Sequence, residues 1–152
     1  MVLLIICLLG VIALFGYLMA RLDIFLTEAG FAKEEDKGRP IAVVMGETDL
    51  ARKVEELLEK NNIRVHRITE PFLLEQEQNF SYLFALSEKD VENIILYKIG
   101  KKVYGIEKMI CLCNDKANES MFIKEGICYG WGKEVTALML YKAVVYGKEV
   151  ML

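Results

Sequence analysis

The stretch Pro40–Thr69, PIAVVMGETDLARKVEELLEKNNIRVHRIT, decides the fold of this chain. Ile41–Met45 is an unbroken apolar run, the pattern of a strand buried on both faces of a parallel sheet. Gly46 breaks the run. Leu50, Val54, Leu57 and Leu58 then recur at helical spacing, with Arg52, Lys53, Glu55, Glu56, Glu59 and Lys60 on the opposite face. Asn61-Asn62 ends the helix with residues that tolerate the left-handed region. Ile63–Ile68 returns as a strand. Strand, crossover helix and strand make one right-handed βαβ unit.

The residues downstream repeat this rhythm. Ser81–Leu86 reads as a third strand. Ser87 is expected to cap a helix running through Val91, Ile94, Ile95, Lys98 and Ile99 to a stop at Gly100. Met109–Cys113 is the next strand, Asn114-Asp115 caps a short helix, and Ile127–Tyr129 is the last strand. A final helix is expected over Gly132–Tyr146. Strands alternating with helices predict an α/β, Rossmann-like three-layer domain with a parallel sheet, over residues 40–152.

Upstream, Val2–Met19 carries no charge over 18 residues. At ~1.5 Å per residue it is long enough for a bilayer core. No cation precedes it, and Leu18-Met19-Ala20 is a poor cleavage site, so an uncleaved anchor is expected rather than a signal peptide. Residues 1–26 are therefore read as one transmembrane helix and 27–39 as a charged linker. Arg21, Lys33, Lys37 and Arg39 all follow the run, which places the domain on the cytoplasmic side of the cell membrane as a single-pass protein.

The chain has 152 residues and a formal net charge of −3. That sign excludes a nucleic-acid binder that works by neutralising phosphates. Four cysteines show no C-x-x-C pair, and a reduced compartment fits them. Cys111 and Cys113 share one strand face with no cluster of His or carboxylates, so buried packing is expected rather than a metal site. His66 is the only histidine and has no nucleophile beside it, so no catalytic residue is assigned.

Three pieces carry a family resemblance: AVVMGETDLA (42–51), YLFALSEKDVENIILYKIG (82–100) and MICLCNDKANESMFIKEGI (109–127). The run Ile41–Tyr146 resembles the N-terminal Rossmann domain of TrkA and RCK proteins, the regulators of K+ conductance. The family's third strand and the helix after it are missing here. In the family's strand numbering the expected sheet order is 2-1-4-5-6, with the second strand at an edge. Arg64, His66 and Arg67 suit an edge.

The resemblance places a nucleotide site on Gly46, Glu47, Thr48, Asp49, Thr69, Glu70, Ser87 and Asn114. The fingerprint G-x-G-x-x-G becomes Gly46-Glu47-Thr48-Asp49-Leu50-Ala51. Gly46 keeps the tight turn, Thr48 replaces the glycine that admits the pyrophosphate, and Ala51 keeps the helix close to the sheet. Glu47 and Asp49 put negative charge at the anion position. Thr69 and Glu70 stand where an acidic residue would hold the ribose. The ligand in question is NAD(H) or an adenine nucleotide.

The expected function is a membrane-anchored regulatory or accessory protein linked to cation (K+) transport, with a degenerate nucleotide site. A working adenine-nucleotide or NAD(H) sensor is the alternative. An NAD-dependent oxidoreductase ranks last, because no acid, base or substrate domain accompanies the turn. The expected partners are the membrane, a transporter subunit and a second copy of the chain. The last helix is apolar on more than one face, and related domains dimerise through this region.

Overall fold

The computed structural model describes residues 15–19, 38–74 and 79–147. The chain divides into two units, Met1–Arg39 and Pro40–Leu152. In the first, residues 15–19 are helical. Most of the expected anchor (1–26) and linker (27–39) lies outside the described residues. Among the described residues no helix is long and apolar enough to cross a membrane.

The second unit is a five-stranded parallel sheet covered on both faces by helices. Its strands are β1 (Ile41–Met45), β2 (Arg64–Ile68), β3 (Tyr82–Ala85), β4 (Lys108–Cys113) and β5 (Tyr129–Trp131). Its helices are α1 (Asp49–Lys60), α2 (Asp90–Lys102), α3 (Glu119–Lys124) and α4 (Ala137–Tyr146). The spatial order is β2-β1-β3-β4-β5, all neighbours parallel. This matches the expected order 2-1-4-5-6 when β3, β4 and β5 are set against strands 4, 5 and 6 of that numbering. β2 is an edge strand, as its charges require.

Strand pleating divides the core in two. Val43, Met45, Leu83, Ala85, Met109 and Cys111 face α2 and α3, where Ile94, Leu96 and Phe122 meet them. Ala42, Val44, Phe84, Leu86, Ile110 and Leu112 face α1 and α4, where Val54, Leu58, Leu140 and Val144 meet them. Each fully buried aliphatic side chain contributes roughly 1.5–3 kcal/mol. Asn62 takes φ +61° after α1, as the Asn-Asn stop predicts. Glu55 was expected on the solvated face. It is half-buried beside Arg67 of β2, Nε at 3.4 Å, and burial pushes its pKa up against the pull of that guanidinium.

Several expectations are corrected. α2 does not stop at Gly100 but continues to Lys102. A β-carbon at Gly100 would stand 2.6 Å from Leu83 Cδ1 and 3.0 Å from Met109 Sδ, so this glycine seats the helix on β3 and β4. Val91 is 59% exposed, and Leu96 and Tyr97 are buried instead. β5 lies two residues later than expected, because Ile127 and Cys128 belong to the connection. Residues 132–136 are not helical, and Trp131 belongs to β5. Thr136 caps α4 by accepting from Met139 N at 3.3 Å.

Candidate functional site

Strand order reverses between β1 and β3, and the crest there is where open α/β sheets bind ligands. A cavity of about 760 Å³ occupies it. Gly46, Glu47 and Thr48 follow β1, Thr69 to Phe72 follow β2, and Ser87 to Lys89 follow β3; Glu92 and Ile95 of α2 complete the wall. Ligand cavities commonly measure about 300–1,000 Å³.

Gly46 sits at φ +133°, and a β-carbon there would lie 2.5 Å from Leu86 O. The turn needs glycine because the backbone of Leu86 and Ser87, just past the end of β3, lies against it. Thr48 caps α1, its hydroxyl accepting from Ala51 N at 3.1 Å. That hydroxyl compensates one orphan donor of the first turn, in place of a bound anion.

Six of the eight candidate residues line this one cavity: Gly46, Glu47, Thr48, Thr69, Glu70 and Ser87. Asp49 does not. It is exposed and pairs with Arg52 at 2.8 Å along α1. Asn114 does not either. It lines two smaller cavities, of about 470 and 570 Å³. The sequence reading missed Pro71, Phe72, Lys89, Glu92 and Ile95 as cavity wall. Pro71-Phe72 could have been found from its place just after β2. Glu92 and Ile95 needed the rotation of α2, which the sequence left ambiguous.

The cavity is acidic. Glu47, Glu70, Glu88 and Glu92 face one cation, Lys89. Lys89 Nζ lies 2.8 Å from Glu92 Oε1, and Ser87 Oγ donates to Glu92 Oε2 at 2.7 Å. Lys89 first and Ser87 second hold the Glu92 carboxyl below its ordinary value. Glu92, by its hydrogen bond and its charge, raises the Lys89 amine in turn. Among the described residues the one cation of the lining is thus already engaged, and a pyrophosphate would meet four carboxylates. These residues do not fit a dinucleotide's anionic centre.

Ser87 was expected to cap α2, and this is corrected. The cap position is Lys89, without a side-chain bond, and Ser87 Oγ accepts from Lys89 N at 3.2 Å as part of the turn. Ser87 and Asn114 instead join a buried polar clasp. Asn93 Nδ2 donates to Ser87 O and Leu112 O, both at 2.8 Å, and Asn93 Oδ1 accepts from Ser87 N at 2.9 Å. Asn114 Nδ2 donates to Ser87 O at 3.0 Å and to Asp90 Oδ1 at 2.9 Å. Asp90, 5% exposed, also accepts from Asn114 N at 2.7 Å, Asp115 N at 3.0 Å and Asn118 Nδ2 at 2.8 Å. Burial pushes its carboxyl up, but these donors together outweigh burial and hold it below the ordinary aspartate value. The clasp ties the start of α2 to the end of β4 and keeps the cavity wall rigid.

Among the described residues no group of three or more His, Cys, Asp or Glu could hold a metal. Cys111 and Cys113 are buried, and burial pushes both thiols up, Cys113 to about 11. His66 is half-buried with its ring 5.5 Å from that of Phe80.

A crystal structure of the GsuK RCK domain is similar to this chain. The TM-score is 0.50 at 11% identity, and the match covers 72% of this chain and 29% of that one. The fold is therefore RCK-like, and the likeness concerns the fold alone. This chain spans less than a third of the length of that structure's chain. Neither a protein-family model nor a curated protein matches the sequence.

Proposed function

We propose that this chain is a membrane-anchored regulatory or accessory protein, linked to cation (K+) transport, whose RCK-like domain carries a degenerate nucleotide cleft. The observation that carries this reading is the cleft itself. It lies at the switch point where a nucleotide would bind, yet four glutamates face one engaged lysine. The RCK-like fold supports a regulatory domain, and the uncharged run Val2–Met19 supports an anchor with the domain cytoplasmic. The domain works without catalysis, through a transporter partner and a second copy of itself. Leu138 and Tyr146 leave α4 with exposed apolar surface for that copy.

Thermal unfolding of the full chain in detergent, with millimolar NAD, NADH, ATP or AMP, tests the cleft. The midpoint stays unchanged with all four. A rise with any one would instead establish the nucleotide sensor, a reading that the cavity's size favours. Potassium uptake by cells with and without the chain tests the transport link, and equal uptake would sink it.

A further inference from the structure

The chain enters the domain at Pro40, and the starts of the strands share that end. Pro40 O accepts from Arg64 N at 2.9 Å, and Tyr82 pairs with Lys108. The crossover helices run back from the crest and finish at the same end, where Lys108 Nζ donates to Val145 O at 3.4 Å. Cations gather here. Lys60 closes α1, Lys101 and Lys102 close α2, and Lys108 opens β4. Lys98 pairs with Glu125 at 3.0 Å, beside Lys124. Lys98 first, then Lys102 and Lys124, hold the Glu125 carboxyl below its ordinary value, so these lysines stand around one carboxylate. Among the described residues, Glu56 and Glu59 stand in the last turns of α1 and Glu107 directly before β4.

Basic helix ends complement the macrodipole, and that explains part of the pattern. It does not explain the apolar side chains set among the cations. Val103 is 66% exposed directly after Lys102, and Ile123 is 64% exposed directly before Lys124. Cations with apolar side chains between them match the phosphates and the acyl boundary of an anionic bilayer.

We propose that this end of the domain, formed by Lys98, Lys101, Lys102, Lys108 and Lys124 with Val103 and Ile123, docks on anionic lipid headgroups. The orientation rests on the reading of the chain as membrane-anchored. Only 20 residues join the uncharged run Val2–Met19 to Pro40, and Pro40 is at the basic end. The acidic cleft is then turned away from the bilayer. A five-residue strand spans about 17 Å, roughly two Debye lengths at physiological salt, so the cleft carboxylates are screened from the lipid charge.

The test uses the full chain in nanodiscs of phosphatidylcholine, alone or with about one-third phosphatidylserine, read by hydrogen exchange. Exchange across residues 98–108 and 121–127 slows roughly fivefold or more in the anionic discs. Half-molar salt abolishes the effect. The variant K98Q/K101Q/K102Q/K108Q/K124Q keeps its unfolding midpoint and loses the effect. Equal exchange in neutral and anionic discs would overturn the proposal, as would an unchanged effect in the variant. Equal slowing by soluble polyphosphate would assign the face to a free polyanion and also overturn it. The anchor is read separately, by resistance to alkaline carbonate extraction from neutral vesicles. Extraction would remove the anchor reading while leaving the lipid-charge result to stand by itself.

Discussion

Asp90 accepts hydrogen bonds from four donors on Asn114, Asp115 and Asn118 while nearly buried. Asp90→Asn keeps the shape and removes the charge, and its amide turns donors toward donors. It should cost about 2–4 kcal/mol at pH 7 by urea unfolding. The folded pKa is lowered from the ordinary aspartate value, so the ionised form is the one the fold favours. That contribution is fully present above pH 4 and lost as pH falls through the folded value. The gap between wild type and variant should therefore narrow below pH 4, and a gap that stays constant would refute the assignment. The cysteines give a second residue-scale expectation. Burial raises the Cys111 and Cys113 thiols, while Cys128 is exposed. A thiol reagent followed by mass mapping should label Cys128 in the native domain, and Cys111 and Cys113 only in urea. Native labelling of Cys113 would contradict the burial of β4.

At the scale of elements, α2 shows how helical phase escapes a sequence reading. Val91, Ile94, Ile95 and Ile99 made one acceptable stripe, and Ile94, Leu96, Tyr97 and Gly100 made another. The second is buried because Asp90 and Asn93 are drawn into the clasp, which sets the rotation of the helix. Val91→Lys should change stability by less than about 0.5 kcal/mol, whereas Leu96→Ala should cost about 2–5 kcal/mol. Gly100→Ala tests the seating of the same helix. Alanine favours an exposed helix by about 1 kcal/mol over glycine. Here its β-carbon meets Leu83 and Met109, so the sign reverses and a loss of about 1–3 kcal/mol is expected. A higher unfolding midpoint would show that α2 does not lie so close to β3 and β4. β2 was easier to read. Charge on a strand has few acceptable places, and an edge is the commonest.

For the whole molecule, assembly turns on α4. Leu138 is 49% and Tyr146 61% exposed on α4, beside a face already buried against α1 and the sheet. A second copy of the chain is the proposed cover. Sedimentation of the full chain in detergent should give a dimer, and Leu138→Asp should give a monomer with an unchanged unfolding midpoint. A dimer that survives Leu138→Asp would place the interface elsewhere. The basic end and the acidic cleft lie at opposite ends of the strands; Leu138 stands near the start of α4, whereas Tyr146 ends it at the basic end, next to the Val145 carbonyl that accepts from Lys108 Nζ.

The sequence by itself determined the α/β class with its parallel sheet and the charge that suits β2 to an edge, while the strand order and half of the cleft lining were expected only from the resemblance. The class and the edge follow from apolar runs, glycine breaks and charge, which are local and periodic. Only the tertiary structure decided the rest. It turned Asp49 outward to Arg52 and drew Ser87 and Asn114 into a clasp with Asp90 and Asn93. It also made Gly100 a contact point rather than a stop. The clasp's bonds join residues up to 28 positions apart, and no periodicity records a partner at that distance. The stretch Pro40–Thr69 names its fold because its order is local. The acidity of its cleft emerges only when Glu70, Glu88 and Glu92 are brought up to Glu47 by the parallel sheet.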